Sequence, residues 1–95
     1  MEEAEKVLKT ILTYTPSSTE INLILTNLYL SRNNCRQAQK YFTNVYLADT
    51  YSKKEFLQST INYLFSCNPT NSNIDKLRSF YNKHYNEDVP LKRLK

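Results

Sequence analysis

The stretch NLYLSRNNCRQAQKYF, residues 27–42, predicts the end of one helix, a polar corner and the start of a second helix. The chain contains no glycine, so Asn33 and Asn34 are the residues best able to adopt the positive φ that ends a helix at such a corner. Asn34 is followed three residues later by Gln37, the spacing at which two side chains satisfy the free amides of a first helical turn. The stretch therefore predicts a tight pair of helices.

Pairs of this kind predict where the other helices begin as well. Four are found in the sequence: Ser17/Glu20, Asn34/Gln37, Ser52/Glu55 and Ser72/Asp75. Between them, apolar residues recur at helical spacing, and all three prolines fall in connections, where a missing amide hydrogen does least harm. We expect an all-α fold with about five helices, at residues 2–14, 18–31, 35–48, 53–66 and 73–86.

Length and composition limit the class of protein. The 95 residues carry a net charge of +4 and are too few for more than one domain, which we place at residues 1–88, followed by a basic tail at 89–95. No apolar run approaches the ~20 residues of a membrane helix, and the first residues are acidic, unlike a signal peptide. We expect no membrane association and an intracellular location, cytoplasmic or nuclear. Two cysteines, Cys35 and Cys67, are too few for a disulfide framework, so we predict reduced, structural thiols.

The sequence repeats itself weakly at an offset of 34 residues. Small residues match small ones and large match large in eight pairs: Ala4/Ala38, Leu8/Phe42, Ile11/Val45, Leu23/Leu57, Thr26/Thr60, Tyr29/Tyr63, Leu30/Leu64 and Asn34/Asn68. Helical periodicity alone does not produce so many matches in one register, so we infer an internal repeat.

On these residues the chain resembles the tetratricopeptide repeat family, whose unit is a helix pair of about 34 residues. With Thr19 as the first position of a unit, five residues match the family's packing positions: Leu25, Tyr29, Ala38, Phe42 and Val45. Asn22 stands where the family has an aromatic, and the last unit needs an insertion of about five residues. The resemblance covers about two and a half degenerate repeats and implies antiparallel helix pairs stacked as a short α-solenoid.

The resemblance also implies a function, because such solenoids hold a peptide or a partner helix on the inner face of their first helices. The family's inner-face positions correspond here to Leu23, Asn27, Leu30, Lys54, Leu57, Ile61, Leu64 and Phe65. We expect a non-catalytic interaction scaffold or adaptor that binds an apolar helix or an extended segment of another protein within a larger assembly. The alternative interpretation of these apolar residues is core packing.

The first helix lacks a preceding partner helix in this register. Val7, Leu12 or Tyr14 should therefore keep an uncovered side, and exposed apolar patches of this kind mark interfaces. Either the chain is a piece of a longer array or a partner supplies the cover, and self-association through this end helix is one form of such a partner.

A second hypothesis is contact with RNA or a ribonucleoprotein, since the stretch at 22–42 also resembles a pentatricopeptide repeat. Basic residues suited to phosphate contact occur near the corner and in the tail: Arg32, Arg36, Lys40, Lys92, Arg93 and Lys95. The alternative is an ordinary solvated basic face, and an offset of 34 rather than 35 argues against RNA.

Catalysis is not expected from this sequence. The lone His84 has no predicted nucleophile beside it, and phosphate-binding loops require glycine. Cys35, Cys67 and His84 share no metal-ligand spacing. We predict no enzymatic activity, no metal and no cofactor.

Overall fold

The computed structural model describes residues 2–89, and every regular element in that range is a helix, which confirms the all-α fold class. The elements are α1 (Glu2–Tyr14), α2 (Thr19–Ser31), α3 (Cys35–Phe42), a 3-10 helix (Leu47–Ser52), α4 (Lys54–Cys67) and α5 (Asn73–Tyr85). The basic tail predicted at 89–95 lies outside the described residues except for Val89.

Helix α2 lies at the centre of the molecule and packs against α1, α3 and α4. Helix α4 in turn packs against α3, α5 and the 3-10 helix. The interior is one continuous apolar cluster made of Leu25, Tyr29, Leu30, Ala38, Tyr41, Leu57, Ile61, Tyr63, Leu64, Ile74, Leu77, Tyr81 and Val89. The hydrophobic residues of α1 that pack against this cluster are Leu8 and Leu12, and both are half-buried, so α1 is the most peripheral of the longer helices.

The corner between α2 and α3 has the predicted construction. Asn33 adopts a φ of 57°, in the left-handed region that a non-glycine residue rarely occupies. The Asn34 side chain accepts a hydrogen bond from the backbone N–H of Gln37 (3.2 Å), which caps α3 as predicted. Asn86 repeats the device after α5 with a φ of 55°.

The other predicted caps differ from the observed ones. Ser18, not Ser17, caps α2 by accepting from the N–H of Ile21 (3.3 Å). Ser52 lies inside the 3-10 helix, and α4 begins without a side-chain cap. Ser72 precedes α5 without capping it, because Asn71 accepts the N–H of Asn73 instead (2.8 Å).

Helix α3 is shorter than predicted, ending at Phe42 instead of residue 48. The residues that follow, Thr43, Asn44 and Val45, are weak helix formers. The Thr43 hydroxyl donates to the carbonyl of Lys40 (2.9 Å), and the Asn44 amide reaches Asn22 (3.4 Å). With these bonds in place α3 does not continue, and the chain next forms the 3-10 helix, which packs against α4.

Ala38 is fully buried where α3 packs on α2, as expected for a small residue at a close crossing. Two aromatic pairs link α3 to its neighbours: Tyr29 of α2 stacks on Tyr41 with centroids 5.7 Å apart, and Phe42 stacks on Tyr63 of α4 at 4.2 Å.

Replacing Ala38 with Leu should therefore destabilise the fold by about 1 to 3 kcal/mol, because the larger side chain pushes the two helices apart. Urea denaturation followed by circular dichroism measures the change. The matched control is Ala48→Leu in the 3-10 helix, where the side chain is exposed and little change is expected. Equal stability of both variants would show that α2 and α3 do not cross closely at this point.

The two cysteines are joined in a disulfide, Cys35–Cys67, with their Cα atoms 5.7 Å apart, a separation typical of such bonds. The prediction of reduced thiols is therefore wrong for this structure. Cys35 begins α3 and Cys67 ends α4, so the packing of the two helices places both residues at one end of the molecule. Composition cannot reveal this pairing, because it depends on tertiary packing across a separation of 32 residues.

Candidate interaction surface

The apolar part of the predicted inner face lies in the core. Of the eight predicted partner-binding residues, five are at most 6 % exposed: Leu23, Leu30, Leu57, Ile61 and Leu64. The physical reason is that α4 packs directly on α2, so the apolar stripes of these two helices cover each other. These leucines and Ile61 do not line an open groove, and the core-packing interpretation holds for them.

The remaining predicted residues on this face make contacts within the chain. Asn27 is exposed and donates to the Ser59 hydroxyl (2.8 Å), which links α2 to α4. Lys54 forms an ion pair with Glu87 (2.9 Å), and each partner stabilises the charged form of the other, so the pKa of Lys54 is raised and that of Glu87 lowered. Phe65 is half-buried. The face is thus mainly internal, with polar links at its rim.

The basic residues proposed for RNA contact do not form a continuous row of side chains free of contacts within the chain. Arg32, Arg36 and Lys40 are all exposed, but Arg32 is bound to Glu5 (2.8 Å). The Lys40 ammonium lies 5.6 Å from the centre of the Tyr41 ring. Lys92, Arg93 and Lys95 lie outside the described residues.

The most distinctive surface of the described chain is an apolar face of α1. Val7 is 56 %, Ile11 41 % and Tyr14 83 % exposed, and Ala4 is exposed as well. The spacing of 3, 4 and 3 residues places these four on one side of a helix; we call them the α1 stripe. The predicted uncovered side of the first helix is confirmed for Val7 and Tyr14, whereas Leu12 is half-buried against the core.

A polar cluster fixes α1 on α2 and so determines which way the stripe points. The Glu5 carboxylate accepts a hydrogen bond from the Tyr29 hydroxyl and forms ion pairs with Lys9 (2.9 Å) and Arg32 (2.8 Å). The Tyr29 bond, then those to Lys9 and Arg32, lower the pKa of Glu5 to about 2. Burial is the main cause of the raised pKa of Tyr29. With Glu5 holding the inner side of α1, the stripe faces solvent.

The stability of this attachment should depend on pH. The Glu5 pKa is lower in the folded chain than its ordinary value of 4.5, so the ionised carboxylate stabilises the fold above about pH 4.5, and this contribution is lost as the pH falls toward about 2. We expect Glu5→Gln to show a smaller decline in melting temperature than the wild type between these values. Glu3→Gln, exposed and outside the cluster, is the control, and identical profiles for wild type and Glu5→Gln would contradict the role of Glu5.

The sequence-based prediction did not assign Ala4 and Ile11 to a surface. From the sequence, these two residues are identified only as repeat partners of Ala38 and Val45. Their helical spacing with Val7 and Tyr14 can nevertheless be read from the sequence. Their exposure was the missing information, because the same spacing also describes a helix face buried in a core.

Among residues 2–89 there is no group of three or more His, Cys, Asp or Glu side chains placed to hold a metal ion. Over the same range, no helix combines the length and apolar character needed to cross a membrane. No protein-family model, curated protein or solved structure significantly matches the chain.

Proposed function

We propose that this protein is a non-catalytic interaction module of tetratricopeptide-like architecture, and that it binds a helix of a protein partner through the α1 stripe. The observation that carries the proposal is the exposure of Val7, Ile11 and Tyr14 on one face of a helix, since contiguous exposed apolar residues mark interfaces. This replaces the predicted groove, whose leucines are buried.

Burial at matched repeat positions supports the architecture. Four pairs related by the offset of 34 residues are buried at both positions, with no member more than 6 % exposed: Leu23/Leu57, Thr26/Thr60, Tyr29/Tyr63 and Leu30/Leu64. Helices α2 and α4 thus use equivalent residues to pack, as first helices of successive units do in a repeat array.

The same offset indicates what kind of partner the stripe fits. Ala4 and Val7 correspond to Ala38 and Tyr41 of α3, which are 0 % and 6 % exposed because α2 covers them. The first half of the stripe is therefore the equivalent of residues that α3 buries against a helix, whereas Ile11 and Tyr14 correspond to Val45 and Ala48, which lie beyond the end of α3. A partner helix lying on α1 would bury the stripe in the same way, and the binding energy would come from the apolar area removed from water.

Recovery of the tagged protein from cell extract tests the proposal, at low and moderate salt and with and without ribonuclease. The comparison is between the wild type, the double variant Val7→Asp/Tyr14→Asp and the control Ile24→Asp, which changes an exposed aliphatic residue on α2. We expect an identified protein, whether another protein or a second copy of the chain, to stay bound to the wild type and to the control and to be lost from the double variant, whatever the ribonuclease treatment.

Release of the bound partners by ribonuclease or by modest salt would contradict the proposal, because phosphate contacts weaken steeply as salt rises. That result would favour the RNA hypothesis and direct further substitutions to Arg36 and Lys40, which are exposed on α3.

A further inference from the structure

We infer that the helix bound by the α1 stripe is the α1 of a second copy of this chain, lying antiparallel to the first in a two-fold symmetric dimer. This inference rests on the proposed function, since it names the occupant of the same surface. Three properties of the stripe carry it: the symmetry of its spacing, the sizes of its side chains and the charges beside it.

The spacing of the stripe is the same in both directions along the helix. Its residues stand at positions 4, 7, 11 and 14, and reversing the helix exchanges 4 with 14 and 7 with 11. An antiparallel copy therefore places Ala4 opposite the partner's Tyr14 and Val7 opposite the partner's Ile11. A two-fold interface requires such self-complementarity, because one patch must fit itself.

The side-chain sizes fit this arrangement better than a parallel one. The smallest residue of the stripe, Ala4, lies opposite the largest, Tyr14, which is 83 % exposed and needs room for its ring. A parallel pair would place tyrosine against tyrosine at one end and leave a gap between alanines at the other. An alanine also permits close approach of two helices, as Ala38 does between α2 and α3.

Charge favours the antiparallel arrangement as well. Glu3 and Lys6 are exposed near the amino-terminal end of α1. In a parallel pair each would lie beside the same charge in the other copy. In the antiparallel pair the partner's Glu3 stands about 18 Å away, twelve residues along the helix, and the partner's Lys6 about 9 Å away, six residues along. The Glu3 charges thus lie beyond the Debye length of about 8 to 10 Å in physiological salt, and the Lys6 charges are separated by about that length.

The dimer should be weak. A standard interface buries about 800 Å² per partner, and one face of a 13-residue helix offers less. We expect a dissociation constant of roughly 10 to 500 μM, which places association within reach of sedimentation equilibrium on the purified full chain.

The experiment is sedimentation equilibrium over a range of about 5 μM to about 1 mM, with folding of each variant checked by circular dichroism. We expect the wild type and Ile24→Asp to dimerise alike, and Val7→Glu and Ile11→Lys to associate at least about tenfold more weakly, because each buries an unpaired charge. The substituted side chains are exposed in the monomer, so the variants should fold.

Mixing the variants tests the register. Chains with Val7→Glu and chains with Ile11→Lys should associate with each other, because the antiparallel pairing of positions 7 and 11 brings the introduced opposite charges together. Chains with Val7→Glu and chains with Val7→Lys should not, since position 7 of one chain does not face position 7 of the other.

A monomer at every concentration would overturn the dimer, and rescue by Val7→Lys instead of Ile11→Lys would overturn its antiparallel arrangement. The proposed function would survive a monomeric result if the stripe variant loses a different identified protein from extract. Both the dimer and the proposed function would be wrong if the chain is monomeric and the double variant Val7→Asp/Tyr14→Asp recovers the same partners as the wild type.

Discussion

Substitution of Leu57 by Asp is expected to unfold the protein. Leu57 is fully buried in α4, within the apolar cluster shared with α2 and α5. A carboxylate placed there loses its water and finds no described cation beside it, at an expected loss of more than about 4 kcal/mol. This is comparable to the total stability of a small domain, about 5 to 15 kcal/mol. Circular dichroism should show the loss of most helical signal at neutral pH.

Ile24→Asp is the matched control, because it makes the same kind of change at a side chain that is 42 % exposed. We expect it to keep its helicity and to melt within a few degrees of the wild type. If Leu57→Asp instead kept its helicity and lost only a binding partner, Leu57 would belong to a ligand groove, as the repeat resemblance implies.

Removal of the Cys35–Cys67 disulfide is expected to have the next largest effect. The bond closes a loop between residues separated by 32 positions, and the restriction that it places on the unfolded chain corresponds to about 3 to 4 kcal/mol. Urea denaturation of the double variant Cys35→Ala/Cys67→Ala should show this loss against the oxidised wild type.

Reducing agent separates the bond from the side chains that form it. Dithiothreitol should lower the stability of the wild type toward that of the double variant and leave the variant unchanged. If the wild type is equally stable with and without the reductant, the result would support the prediction from composition that Cys35 and Cys67 are reduced.

Local features of this fold could be predicted from the sequence. The corner at Asn33 and Asn34, the cap on α3 and the helical class follow from side chains within a few residues of one another. The repeat offset identified paired positions such as Tyr29 and Tyr63, both of which are buried.

What covers a helix face could not be predicted. Leu57 and Ile11 both stand at apolar helical positions, yet one is fully buried and the other is 41 % exposed. Periodicity identifies an apolar face, and only the packing of other helices decides whether that face is core or surface. The disulfide depends on the same long-range packing, as does the Asn44–Asn22 hydrogen bond just after the end of α3.

The asparagine corners also bear on the unfolded chain. Glycine is the residue that loses most conformational freedom on folding, and this chain forms the left-handed positions at Asn33 and Asn86 without it. A residue with a side chain favours the native state over glycine by about 0.4 to 1 kcal/mol where the native backbone is unstrained. At Asn33 and Asn86 the cost of a positive φ offsets this gain, so the gain comes from the other positions of the chain. A chain without glycine thus begins folding from a backbone that has fewer conformations to lose.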